Sequence, residues 1–157
     1  MRIADYDYMI DNMKIHHDND SASNWWCYEN KWENCEKHGM LYTWTAVLGI
    51  PQTYLETSYT GSLSGIQGAC PAGWRVPTEA EIEAIRNSLT TGQQIALFNN
   101  YGSYSFHKWE GKAYYWVADE ASNSSGRHYA YATYAGKDNI WFYNASKNFA
   151  YYLRCIR

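Results

Sequence analysis

CPAGWRVPTEAE, residues 70–81, brings a cysteine, a Pro/Gly turn, a tryptophan and a helix start together in one short string. Thr78 followed by Glu81 is a capping box, in which hydroxyl and carboxylate each satisfy a backbone N–H that the first helical turn leaves without a partner. Pro77 stands directly before the cap, and Ile82, Ile85 and Leu89 then recur on one helical face. A helix is therefore expected from Thr78.

Outward from this anchor the chain alternates between short elements and long loops. In MLYTWTAVLGI (40–50), Leu41, Trp44, Thr45 and Leu48 recur at spacings of three and four, which predicts a first helix stopped by Gly49 and Pro51. Residues 52–69 are rich in Ser, Thr and Gly and read as a surface loop. NWWCYENKWENC (24–35) reads as a compact loop stapled by Cys27 and Cys35, a closure worth about 2–3 kcal/mol in the chain-entropy treatment. Residues 2–14 read as one strand and a turn, and 15–24 as a polar loop. Residues 99–111 are irregular; from Ala113 the period becomes two, which predicts four short antiparallel strands broken at 123–126, 136–139 and 144–148. The expected class is α+β: two helices on a small, mostly C-terminal antiparallel sheet with long loops.

A length of 157 residues fits one domain, 1–157. The net charge is −3 and the basic residues are scattered, which excludes a nucleic-acid partner. No apolar run is long enough for membrane insertion, and no secretion signal is present, so the chain reads as a domain excised from a longer protein. With 16 Tyr and 8 Trp but few aliphatic residues, large flat side chains must form much of the core. The surplus is left for the surface, where rigid side chains with polar tips suit recognition. Cys27, Cys35, Cys70 and Cys155 form no CxxC pair, which favours a disulfide framework over zinc and implies an oxidising compartment.

Four strings, IADYDYMIDNMK (3–14), WCYENKWENCEKHGMLYTW (26–44), CPAGWRVPTEAE (70–81) and LRCIR (153–157), stand in the order and spacing of the Fibrobacter succinogenes major paralogous domain family, which the chain resembles over residues 2–157. Tyr8 and Asp11 depart from the family's usual Trp and Glu. The resemblance implies a C-type-lectin-like fold, a place on the bacterial cell surface or in the extracellular space, or alternatively on a phage particle such as its tail. It also implies that Cys70 and Cys155 approach each other, with buried free thiols as the rival reading. The same fold and a similar ending occur in the variable proteins of diversity-generating retroelements, whose exchanged positions lie in the last strands. Residues 119–152 share that composition of Tyr, Asn, Ser and His.

Several constellations have plainer readings. His16, His17, Asp18 and Asp20 sit on a loop where neighbours point apart, so a solvated loop outweighs a metal site. Asp138, Asn139 and Asn144 lack the paired strings of calcium-dependent sugar-binding lectins, and no cofactor is expected. Glu79, Glu81 and Glu83 belong to a helix's first turns, where the dipole accounts for them. No nucleophile string is present, so the chain is not expected to be an enzyme. A formylglycine-generating-type enzyme and a purely structural surface component are the alternatives. Trp25, Trp26, Trp44, Trp74 and Trp116 read as core. The expected function is a ligand- or receptor-binding display domain, an adhesin-like module addressing a protein or glycan on another cell surface, with oligomers compatible. Contact is expected from Ser122, Asn123, Arg127, Tyr129, Tyr131, Tyr134, Asn139, Trp141, Tyr143 and Asn148.

Overall fold

The capping box forms. In a computed structural model describing residues 1–14, 24–98, 113–121, 128–135 and 140–157, Thr78 Oγ1 accepts from the Glu81 N–H and Glu81 Oε2 accepts from the Thr78 N–H at 2.9 Å. The loop holding His16, His17, Asp18 and Asp20, the irregular stretch 99–111 and the breaks at 123–126 and 136–139 lie outside the described residues. Arg75 reinforces the cap from both guanidinium nitrogens, each 2.6 Å from a Glu81 carboxylate oxygen. Burial pushes the Glu81 carboxyl up, but Arg75 and the Thr78 N–H outweigh it and hold the group below its ordinary range.

The N-terminal half is built from short pieces. β1 (Arg2–Ile3) and β2 (Tyr6–Asp7) form a hairpin where a single strand was expected. The stapled loop contains β3 (Trp25–Trp26) and α1 (Trp32–His38), with Cys35 buried on the helix and bonded to Cys27. Leu41 and Tyr42 do not start a helix; as β4 they pair with β3. Thr43, whose hydroxyl accepts from the Ala46 N–H, caps α2 (Trp44–Leu48), which Gly49 ends in the left-handed conformation. The long loop carries one 3-10 turn, Gln52–Leu55.

α3 (Glu79–Asn87) is followed by α4 (Thr91–Phe98), which the sequence reading left out. Its own signal was present: Thr90 and Gln93 exchange capping hydrogen bonds three residues apart. β5 (Ala113–Glu120), β6 (Tyr129–Ala135) and β7 (Ile140–Ser146) make one antiparallel sheet in the order β5-β6-β7. β7 runs through Asn144 without the expected break, and the last residues thread past the sheet as single bridges from Tyr151, Tyr152 and Ile156. The α+β layout thus stands, with α1 and α4 added to the two helices expected.

Each face of the sheet has its own core. One is built on Trp44, Val47, Trp116, Ala130, Ala132, Ala145 and Tyr151, the other on Ile82, Ile85, Phe98, Tyr115, Val117 and Ile140. Of the tryptophans assigned to the core, Trp44 and Trp116 are fully buried, while Trp25, Trp26 and Trp74 are half-buried against the clusters. Trp32, on α1, is 53% exposed. The Cys70–Cys155 disulfide closes 85 residues and ties the last segment to the loop before α3.

Two outcomes follow from these closures. Replacing both Cys70 and Cys155 by Ala lowers the unfolding free energy by about 4.5 kcal/mol in the chain-entropy treatment, against about 2.5 kcal/mol for the Cys27 and Cys35 pair, as denaturant titration would rank them. Glu81→Gln costs about 1 kcal/mol at neutral pH by loss of the capping carboxylate. Because the folded-state carboxyl lies below its ordinary 4.5, that contribution is whole above this pH and is lost as pH falls through the lower folded value. The wild-type and variant unfolding curves should therefore converge in acid and stay apart at neutral pH.

Candidate functional site

Pairing of β6 with β7 assigns each residue to a face. Tyr129, Tyr131 and Thr133 oppose Ser146, Asn144 and Phe142, while Ala130 and Ala132 oppose Ala145 and Tyr143. The alanines let indoles come close to the sheet: Trp44 Nε1 donates to the Val117 carbonyl at 3.2 Å and Trp116 Nε1 to the Tyr42 carbonyl at 2.8 Å. Lys147 is wholly buried on this alanine side, its Nζ donating to the carbonyls of Tyr54 (3.1 Å) and Thr57 (3.0 Å), paired with Glu120 and 4.5 Å from the centre of the Trp44 ring. Burial lowers its pKa, and the bond to Glu120 opposes that fall.

Tyr143 belongs to the same packing. Its hydroxyl bonds the Tyr151 hydroxyl, and its ring lies 5.6 Å from that of Tyr114, which in turn stacks on Tyr151 at 5.0 Å. Burial pushes both phenols, Tyr143 and Tyr151, above the ordinary tyrosine range. Along β7 the alanine side opens in one direction only: Ala145 is 1% exposed, Tyr143 is half-buried and Trp141 is 53% exposed.

The aromatic side opens at the opposite end. Ile140 is buried, Phe142 half-buried and Asn144 exposed; on β6, Thr133 is buried, Tyr131 half-buried and Tyr129 41% exposed. Two helices cover the rest of this side. The first N–H of α3 donates to Asp119 near the end of β5, at 2.6 Å, and Arg86 in its last turn reaches the Ile140 carbonyl at the start of β7. α3 packs on β5 and α4 on β7, and the end of this face at Tyr129 and Asn144 stays exposed.

The expected contact residues are therefore not one patch. Tyr129 and Tyr131 share the open corner of the aromatic side, and Trp141 lies on the other face, about 17 Å along the sheet from Tyr129 at strand rise. Tyr134 stands opposite Trp141 in β6. Tyr143 is a partly buried packing residue. Asn148 is exposed, yet its amide donates to Glu56 Oε1 at 3.1 Å, and Glu56 also meets His128 at 2.9 Å, so the pair clamps the 52–57 turn to the end of the sheet. Ser122, Asn123, Arg127 and Asn139 lie outside the described residues. Asn144, considered in the sequence only for calcium, is exposed on the same side of β7 as Phe142.

Among the described residues no group of three or more His, Cys, Asp or Glu is arranged to hold a metal ion. All four cysteines are in disulfides. No described helix is long and apolar enough to cross a membrane.

The model of one family, the Fibrobacter succinogenes major domain, matches residues 2–102. The match spans the hairpin, α1 to α4 and the capped string, and ends before the β5–β7 sheet that carries the open corners. No curated protein and no solved structure matches the chain.

Trp141 and Tyr143 should separate on substitution. Trp141→Ala leaves the unfolding free energy within about 0.5 kcal/mol, as at a surface site without structural partners. Tyr143→Ala costs about 2 kcal/mol or more through the lost ring packing, and Tyr143→Phe costs about 1 kcal/mol through the hydroxyl alone. Chemical denaturation of the three variants measures the split.

Proposed function

We propose that this chain, which belongs to the Fibrobacter succinogenes major domain family, is a non-enzymatic recognition domain that presents the side chains of its C-terminal sheet to a protein or glycan on another surface. One observation carries the reading: the same strands that are buried between two cores end in exposed Tyr129, Asn144 and Trp141. Rings held on a sheet between two packed cores lose little conformational freedom on contact, which is where affinity is usually forfeited. Both disulfides support an extracellular or cell-surface location. They also weigh against a formylglycine-generating-type mechanism, which requires a reactive thiol. The Tyr, Asn and Ser content of residues 119–152 supports a diversified binding surface of the retroelement kind.

The test is a panel of bacterial surface glycans and purified envelope proteins probed with the full chain. A binder lost with Tyr129→Ala or Trp141→Ala, but kept with Trp32→Ala on the distant α1, supports the display surface. Binding indifferent to both sheet substitutions, or confined to Trp32, would overturn it. Thiol titration of the native protein should find no reactive cysteine; one equivalent or more of low-pKa thiol would favour catalysis instead.

A further inference from the structure

The two outer strands of the sheet differ in what lies beyond them. Along β5 the backbone of Tyr114, Trp116 and Ala118 turns away from β6 and is taken up: the Tyr114 carbonyl accepts from the Tyr152 N–H, the Trp116 N–H donates to Tyr152 and the Ala118 N–H to Pro77. Tyr115 therefore faces β6 at its partner Thr133, and the alternation carries across the sheet, so that Ala132 and Tyr134 face β7 at Tyr143 and Trp141. Lys147 continues the series, its N–H donating to the His128 carbonyl. Phe142 and Asn144 consequently turn their N–H and C=O outward, between two positions already in use: the Ile140 carbonyl accepts from Arg86 and the Ser146 carbonyl from the Phe149 N–H. Among the described residues none bonds the outward groups of Phe142 and Asn144.

An edge of this kind is a template for another strand, and chains that stay single blunt it with charge, proline or a bulge. β7, IWFYNAS, carries no charged residue, proline or glycine and pairs with β6 without a shift of register. Its outward groups also fit their own copy. Antiparallel pairing of two β7 strands about Tyr143 sets Phe142 of each copy opposite Asn144 of the other, and every outward N–H and C=O of these residues then finds a partner. Centring the pair on Phe142 or on Asn144 would instead spend a bond on the Ile140 or the Ser146 carbonyl, each already occupied. The register about Tyr143 also places Trp141, 53% exposed, opposite Ala145 of the second copy, large against small, and brings no like charges together. We propose that the outer edge of β7 pairs antiparallel with the same edge of a second copy of this chain, centred on Tyr143, so that one sheet runs through both molecules. The inference stands beside the recognition reading and does not depend on it.

A contact of one strand per copy belongs with the smallest interfaces, below about 1,200 Å², so exchange between monomer and dimer is expected between roughly 10 µM and 1 mM. Sedimentation equilibrium of the full chain should show the average mass rising from 18.2 kDa toward twice that value over this range. Hydrogen exchange should find the Phe142 and Asn144 amides fast in the dilute protein and slowed in the concentrated one. Asn144→Pro removes an outward donor without touching the ladder to β6 and should raise the dissociation constant at least about tenfold. Asn144→Ala keeps the backbone groups and should leave the constant within about threefold. Asn144→Lys keeps them too but sets a charge on the edge; it should weaken pairing several-fold and serves where melting shows the proline variant unfolded. A chain that stays monomeric throughout the range, amides already protected in the dilute protein, a dimer that survives Asn144→Pro and Asn144→Lys, or one lost equally with Asn144→Ala would each overturn the pairing. Protection of the same amides by an alternating Val-Thr heptapeptide, in a chain that stays monomeric, would overturn the second copy in favour of a foreign strand.

Discussion

The last seven residues are the constraint on which the other elements depend. Tyr151 pairs with Tyr42, Tyr152 with the β5 backbone, Leu153 accepts from Met13, Cys155 from Met9, Ile156 exchanges bonds with Arg75, and Arg157 with Asp7. A segment that meets a different element at almost every residue cannot form before those elements are in place, and a disulfide spanning 85 residues then holds it there. Between these bonds Arg154 is buried, its Nε donating to Asn12 Oδ1 at 2.7 Å, Nη1 to the Leu97 carbonyl, and its guanidinium 4.8 Å from the centre of the Tyr115 ring. Amide, carbonyl and ring face substitute for a carboxylate around this cation. Asn12 is fixed in turn by donating to the His38 carbonyl at 2.7 Å, beside Gly39. Gly39 has a φ of +91° and no room for a Cβ, which would fall 2.5 Å from Asn12 Cβ.

With few aliphatic residues, the core relies on aromatic residues, several of which carry polar tips that reach hydrogen-bond acceptors. The Trp44 and Trp116 indoles each reach a backbone carbonyl, the Tyr115 hydroxyl donates to the Phe98 carbonyl, and Tyr143 and Tyr151 pair with each other. Such a core is directional. A leucine can slide within its pocket, but an indole N–H that must find one carbonyl fixes the register of the strand carrying it. The alanines of β6 are the counterpart: only a side chain that small lets rings from both neighbouring strands and from α2 lie over the sheet.

Legibility followed the range of the interaction. The Thr78 and Glu81 cap is a contact within four residues, and the sequence disclosed it; Thr90 and Gln93 make the same exchange and were readable by the same rule. Leu41 fits a helical stripe with Trp44, Thr45 and Leu48, but pairing of Leu41 and Tyr42 with Trp25–Trp26 overrode the periodicity. Alternation in NIWFYN correctly separated Trp141 and Tyr143 from Phe142 and Asn144. What alternation cannot give is depth, because burial along one face is decided by where α3 and the Tyr151 ring lie. That is why Trp141 is half in water while Tyr143, two residues on, is held by Tyr114 and Tyr151.

The same strands carry both buried core and exposed side chains. α3 on β5 and α4 on β7 leave the Tyr129 end of the central strand and the Asn144 end of β7 exposed. On β6 and β7 the residues that bind the cores and those that face water are separated by four positions of the same strand, with Thr133 leading to Tyr129 and Ile140 to Asn144. Substitution at the open ends changes what the surface attracts without touching the indole and disulfide contacts that set the backbone, whereas substitution two or four residues away acts on the core itself. The exposed ends and the buried cores are joined by the strand between them, and the carboxy-terminal thread holds that strand's sheet in place at β5.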